Sequence, residues 1–170
     1  MIEEPTLGAA ARPLAPAAPA TAQDPTVWRT ALTAALVHGV LAGLCMALSR
    51  GGVDVATLWM ANAPVVALLV QRQGQARYAL VAVGLVNALA NLVAGSSPLA
   101  AGAFALANVV SISVGILLLR RFNLTPTMLQ SADGLLRVVA LGSLLPETIG
   151  ATVAAVLTTL QGDGDTVLIW

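Results

Sequence analysis

The groups in this chain that could do chemistry are few, and they sit in apolar surroundings. Glu147 lies near the middle of VVALGSLLPETIGATVAAVLTTL (138–160), directly after Pro146 and beside Thr148 and Gly150. An ionised carboxylate in such a run costs several kcal/mol unless it is paired or hydrated. Glu147 therefore reads either as a ligand contact or protonation switch in a bundle cavity, or as an acid hydrogen-bonded to a neighbouring helix beside a proline kink. His38 lies midway along WRTALTAALVHGVLAGLCMAL (28–48). It could pair with Glu147 and titrate near neutral pH, or rest as a neutral imidazole on one carbonyl.

The amides form short stripes. Asn87 and Asn91 are spaced i, i+4, Asn108 and Ser111 i, i+3, and Trp59 and Asn62 i, i+3, so each pair shares one helix face. Such stripes belong inside a bundle, either as interhelical packing bonds or as the wall of a polar cavity. The cavity reading puts Trp59, Asn62, Asn91, Asn108 and Glu147 around a small-molecule signal. Metal and cofactor motifs are missing: there is no HExxH, no CxxC and no paired histidine, and Cys45 is the single cysteine. Gly162–Asp163–Gly164–Asp165 is too short for a calcium loop and lacks the distal glutamate. No P-loop, GxSxG or dinucleotide fingerprint occurs, so no catalysis and no cofactor are expected within these residues.

The elements that carry these groups are apolar blocks. Of 170 residues, 58% are hydrophobic and 9% charged, with a mean hydropathy of +0.86. Soluble domains carry about 25% charged residues. Five blocks, 28–48, 53–70, 77–95, 99–119 and 138–160, approach the roughly 20 residues that cross a bilayer core. The expected fold is an all-α polytopic transmembrane bundle of five full spans plus the start of a sixth in the closing TVLIW (166–170). That ending suggests a fragment. The blocks lack the alternation of a β-barrel. Residues 1–26, rich in Ala and Pro, read as a disordered cytoplasmic tail, and 27–170 as the integral-membrane domain.

Arginine placement gives the orientation. Arg72 and Arg77 lie between the second and third blocks, and Arg120, Arg121 and Arg137 flank the loop before the fifth. The intervening GSSP loop is uncharged. The positive-inside rule then puts the N-terminus in the cytoplasm, with Arg50 a mild exception. The loop 120–137 is the candidate coupling loop, with a short surface helix expected around 126–132. A net charge of zero argues against nucleic acid as a partner. Gly39 and Gly43 form a GxxxG pair that could support a homodimer.

LWMANA (58–63), ANLVAG (90–95), ALANVV…LLLRRF (105–122), Arg137 before the fifth block and Trp170 at the sixth follow one another in a recognisable order. Together they resemble the first class of bacterial membrane-associated sensor domains, the MASE type, over residues 35–170. The resemblance implies a helical bundle of about eight spans in the inner membrane. It also implies a soluble output domain in cis, a cyclic-di-GMP enzyme or a histidine kinase. Two positions depart from the family pattern. Trp59 is followed by Met60 where Trp-Pro is common, and the family's Asn-x-x-Glu reads Asn108-x-x-Ser111. The competing readings are a small transporter, with broken helices and polar groups in mid-membrane, and a membrane assembly subunit. No convincing repeat relates 28–95 to 99–160.

Overall fold

The computed structural model describes residues 21–49, 60–124 and 130–160. These residues are helical throughout, in the order α1 (Pro25–Ser49), α2 (Asn62–Gln71), α3 (Ala76–Val93), α4 (Pro98–Arg121), α5 (Ala132–Val139) and α6 (Leu145–Leu160). A 3-10 turn, Gln73–Gln75, joins α2 to α3, and a π turn, Ala140–Leu144, joins α5 to α6. Four stretches are long and apolar enough to cross a bilayer: Pro25–Leu48, Ala76–Val93, Pro98–Arg121 and Ala132–Leu160. They lie in the first, third, fourth and fifth blocks of the sequence.

The second block differs from expectation. Its described part is a helix of 10 residues, about 15 Å long against a hydrocarbon core of about 30 Å. Residues 53–59 lie outside the described segments, as do most of the expected 126–132 helix, the 162–165 turn and the closing TVLIW. Pro64 is the third residue of α2, in the first turn, where a missing N–H removes no intrahelical bond. The fifth span starts earlier than its hydropathy indicates, at Ala132 rather than Val138. Helix α1 likewise begins at Pro25, inside the stretch read as tail.

The helix ends follow local chemistry. Asp24 precedes Pro25 and accepts the Thr26 backbone N–H at 2.8 Å, an N-cap followed by proline at the first helical position. Ser97 caps α4 through the Ala100 N–H at 3.2 Å, and Ser131 caps α5 through the Gly134 N–H at 3.1 Å. Helix α3 stops at Gly95, whose φ of 98° lies in the left-handed region. There the N–H groups of Gly95 and Ser96 return to the carbonyls of Leu92 and Asn91, a Schellman stop. Asn123, at φ 48°, ends α4 in the same way.

Helix α1 packs on α3, α3 on α4 and α4 on α6, while α2 lies against α4 and α1. The exposure pattern identifies the solvent. On α1 the residues Trp28, Leu32, Leu36, Val40, Leu44 and Leu48, four apart, all face outward, with Leu36 68% exposed. The interior holds alanines and polar groups: His38 and Asn87 are both 0% exposed. Rows of large apolar side chains outside, over an interior that mixes apolar side chains with alanines and polar groups, fit a bilayer, where lipid gives leucine no reason to hide. At one end of the bundle, Trp28 and Tyr78 rings lie 6.1 Å apart, and the Arg77 guanidinium stacks over Tyr78 at 4.6 Å. Nearby, Gln75 ties the end of α1 to the α2–α3 connection. Its side chain donates to Thr26 Oγ1 at 2.8 Å and accepts from Thr30, which in turn accepts from Arg72 Nη1 at 3.0 Å.

Small residues set the α4–α6 contact. Ala107, Ser111 and Gly115 recur every fourth residue on α4, and Pro146, Gly150 and Ala154 do so on α6; all six are buried. A Cβ at Gly150 would stand 2.9 Å from Ser111 Cβ and 3.0 Å from the Ala107 carbonyl oxygen. Pro146 cannot donate to the Gly142 carbonyl four residues back, and the π turn falls at that point. The Gly142 oxygen lies 3.4 Å from where a Gly115 Cβ would be. The two glycines of the Gly39–Gly43 pair have different surroundings. A Cβ at Gly39 would meet Val86 Cγ1 at 2.6 Å, so Gly39 serves the α1–α3 contact within the chain, and Gly43 has nothing within 4 Å.

Two outcomes follow. Gly150→Ala is expected to destabilise the folded protein in detergent by about 1–3 kcal/mol through overpacking. Gly43→Ala is expected to be neutral or to stabilise it by up to about 1 kcal/mol, since it meets nothing and gains helix propensity; equal melting temperatures for the two variants would contradict this packing. The hydrogen bonds from the Thr26 side chain and then its backbone hold the Asp24 carboxyl below the usual aspartate range. A carboxyl lowered on folding stabilises the cap at pH values above its unfolded range, and the contribution is lost as pH falls through its folded value. Amide-exchange protection in the first turn of α1 is thus expected to drop on acidification, and to lose that pH dependence in Asp24→Asn.

Candidate functional site

Helix α2 begins inside the bundle, and its first residue organises the site. Asn62 is 2% exposed. Its Nδ2 lies 2.9 Å from Asn108 Oδ1 of α4 and 3.4 Å from Ser111 Oγ of the same helix. It lies 2.9 and 3.2 Å from Glu147 Oε1 and Oε2 of α6. Ser111 also hydrogen-bonds Glu147. Asn108 is oriented by its own Nδ2, which donates to the Phe104 carbonyl at 2.9 Å. Asn62 Oδ1 is buried with no hydrogen-bond partner among the described residues.

This geometry treats Glu147 as an acceptor. Both of its oxygens lie within hydrogen-bond distance of the Asn62 amide N–H2, and Ser111 adds a hydroxyl. The first N–H groups of α2 add the positive end of a helix dipole on the same side. Among the described residues the one ion pair is Arg137–Asp133, at 3.0 Å on the exposed face of α5. Glu147 is thus balanced by dipoles and neutral donors, not by a cation within salt-bridge distance.

A second polar group lies on the other side of the α2 start. Asn91 Nδ2 donates to the Asn87 carbonyl at 2.9 Å and to Asn87 Oδ1 at 3.1 Å. With its oxygen so used, Asn87 turns Nδ2 toward His38 Nε2, 3.0 Å away. His38 also interacts with the backbone of Ala61, the residue before Asn62. A chain of contacts therefore runs from α3 through α1 to the residue just before α2.

The structure brings some of these residues together and keeps others apart. Asn62, Asn108 and Glu147 meet. Asn91 does not join them; it buttresses Asn87 and His38 instead. His38 pairs with Asn87 rather than with Glu147. Trp59 lies outside the described residues. Ser111, read as part of a stripe, touches the acid directly, and the i, i+3 spacing from Asn108 was the available signal. No group of three His, Cys, Asp or Glu side chains capable of holding a metal occurs among the described residues. Cys45 is buried, in keeping with a small apolar filler.

Comparison with known protein families, with curated proteins and with solved structures finds no match.

Asn62→Ala removes the donor shared by Glu147 and Asn108 and leaves two buried acceptors short. It is expected to cost about 1–3 kcal/mol of stability. His38→Ala acts in the other group, with no partner in common, and the two effects should add within about 0.5 kcal/mol. A double-mutant cycle in detergent measures this, and a coupling energy well above that limit would mean that the two polar groups act as one.

Proposed function

We propose that this chain is the integral-membrane sensory input domain of a bacterial signalling protein. In this reading it sits in the inner membrane with its N-terminus in the cytoplasm. A small-molecule signal acts at the junction of α2, α4 and α6. The output domain, a cyclic-di-GMP enzyme or histidine kinase, lies in cis beyond this sequence. The full architecture is five spans and the start of a sixth, with α2 the inner half of the second and Trp59 a further candidate contact for the signal.

One observation carries the reading: a half-span ends on Asn62, and that single amide joins a mid-membrane acid to polar groups of a third helix. A buried ionisable residue in a span is by default a functional candidate. Its bonds here connect separate helices, so a change at Glu147 reaches all of them. The mechanism is a population shift. A signal that competes for the Asn62 and Glu147 hydrogen bonds favours one arrangement of α2 over another, to the extent that it binds the two with different affinity. The MASE resemblance supports the same assignment. Where that pattern carries an acid on the fourth helix, this chain has Ser111, and Glu147 of α6 brings a carboxylate to that serine.

In the full-length signalling protein, Glu147→Gln and Asn108→Ala are each expected to shift output about tenfold, the equivalent of roughly 1.4 kcal/mol, with membrane insertion unchanged. Unaltered output in both would overturn the proposal. Substrate uptake by the purified protein in proteoliposomes would establish the transporter reading instead. For orientation, in a Cys45→Ala background, Ser96→Cys is expected to react with an impermeant thiol reagent in intact cells. Gln71→Cys should react only after permeabilisation. The reverse pattern would invert the topology.

A further inference from the structure

Helix α2 is bracketed by an acidic and a basic side chain, one at each end. At its N-terminus stands Glu147, joined to the helix through Asn62. At its C-terminal turn the Leu69 carbonyl accepts from Arg120 Nη2 at 2.8 Å. That carbonyl is one of the last four, which have no onward partner in the helix; the Arg72 N–H also reaches it, at 3.2 Å. Arg120 lies in the last turn of α4. An arginine at a helix end in a membrane ordinarily extends outward to the headgroups. This one turns onto the neighbouring helix instead, far enough that its Nε is buried without a hydrogen-bond partner among the described residues. An anion at the positive end and a cation at the negative end of one helix both favour its dipole.

We infer that α2 is a rigid electrostatic bridge, and that Glu147 and Arg120 act through it as a single pair that keeps α2 seated against α4. The inference deepens the sensory reading by naming the element that carries a change at Glu147 to the arginine-rich end. The rod is short. Asn62 and Leu69 are seven residues apart, about 10 Å of helix. Its apolar face, Val65, Val66 and Leu69, is buried in one cluster with Ile112 and Ile116 of α4, so the helix is set to move as a body rather than to fray. The side chains facing Glu147 from α2 and α4 are Asn62, Asn108 and Ser111, none of which titrates. Among the described residues, His38 contacts the Ala61 backbone, next to Asn62, from α1. Charge lost at Glu147 is therefore felt first by Asn62 and α2.

The test reads the far end of the rod. In a Cys45→Ala background, Gln71→Cys reports access at the C-terminal end of α2 by its thiol-labelling rate, and Ser96→Cys reports the α3–α4 turn. Glu147→Gln, Asn62→Ala and Arg120→Gln are each expected to raise labelling at position 71 about three- to tenfold and to leave position 96 unchanged. Asn62→Ala keeps Glu147 and Arg120 and removes the bond between Glu147 and α2, with position 96 reporting any general loosening, so it decides the matter should Glu147→Gln fail to fold. A rise at position 71 with Arg120→Gln alone, with no effect from either change at the other end, would overturn the bridge. So would an equal rise at position 96, which would signal general loosening. Neither readout requires a signal or an output domain, so the sensory reading can fail while the bridge stands, and the reverse.

Discussion

Within a bilayer there is no water to satisfy a helix end, and the rest of this structure follows from where α2 starts. A helix that begins in mid-membrane exposes four backbone donors and its first side chain to hydrocarbon, at several kcal/mol for each unmet polar group. Around the first side chain of α2 the chain gathers polar residues from its other helices. Asn108 and Ser111 come from α4 and Glu147 from α6. His38 approaches the preceding residue from α1, held by Asn87 and Asn91 of α3. Every long span thus contributes to one discontinuity. Without the break in the second element, these residues would have little reason to be inside a membrane at all.

Close approach of α4 and α6 is what allows the acid to reach its partners. Glu147 is flanked by Pro146 and followed by Gly150, and both neighbours lie on the seam of small residues. Gly150 admits the Ala107 carbonyl and Ser111 to near contact. Pro146 removes one backbone bond, and the π turn at Ala140–Leu144 absorbs the change of pitch. A π turn beside a functional group is a recurring arrangement. Here it also joins α6 to the short amphipathic α5, with its exposed Asp133–Arg137 pair.

Much of this was legible in the residues themselves. The apolar blocks located the four long helices, and Asn62, Asn108 and Glu147 were recognisable as a set, because polar groups in hydrocarbon must find one another. Hydropathy could not reveal that the second helix is short in its described part, since NAPVVALLVQ is as apolar as a full span and only Asn62 and Pro64 hint at a beginning. Nor could periodicity assign each polar stripe to its partner. Asn91 and Asn108 carry equivalent side chains, and which group each joins depends on the rotation of α3 and α4 about their axes. Gly39 shows the same limit: a small residue declares that something comes close, but not whether it is another copy or Val86 of the same chain.

The ring pair of Trp28 and Tyr78, with Arg77 stacked upon it, has a mechanical corollary. Indole and phenol rings favour the boundary between headgroups and acyl chains, so this trio acts as a plimsoll mark that fixes how deep α1 and α3 ride. In a thicker or thinner membrane the two helices are constrained to lean rather than to bob.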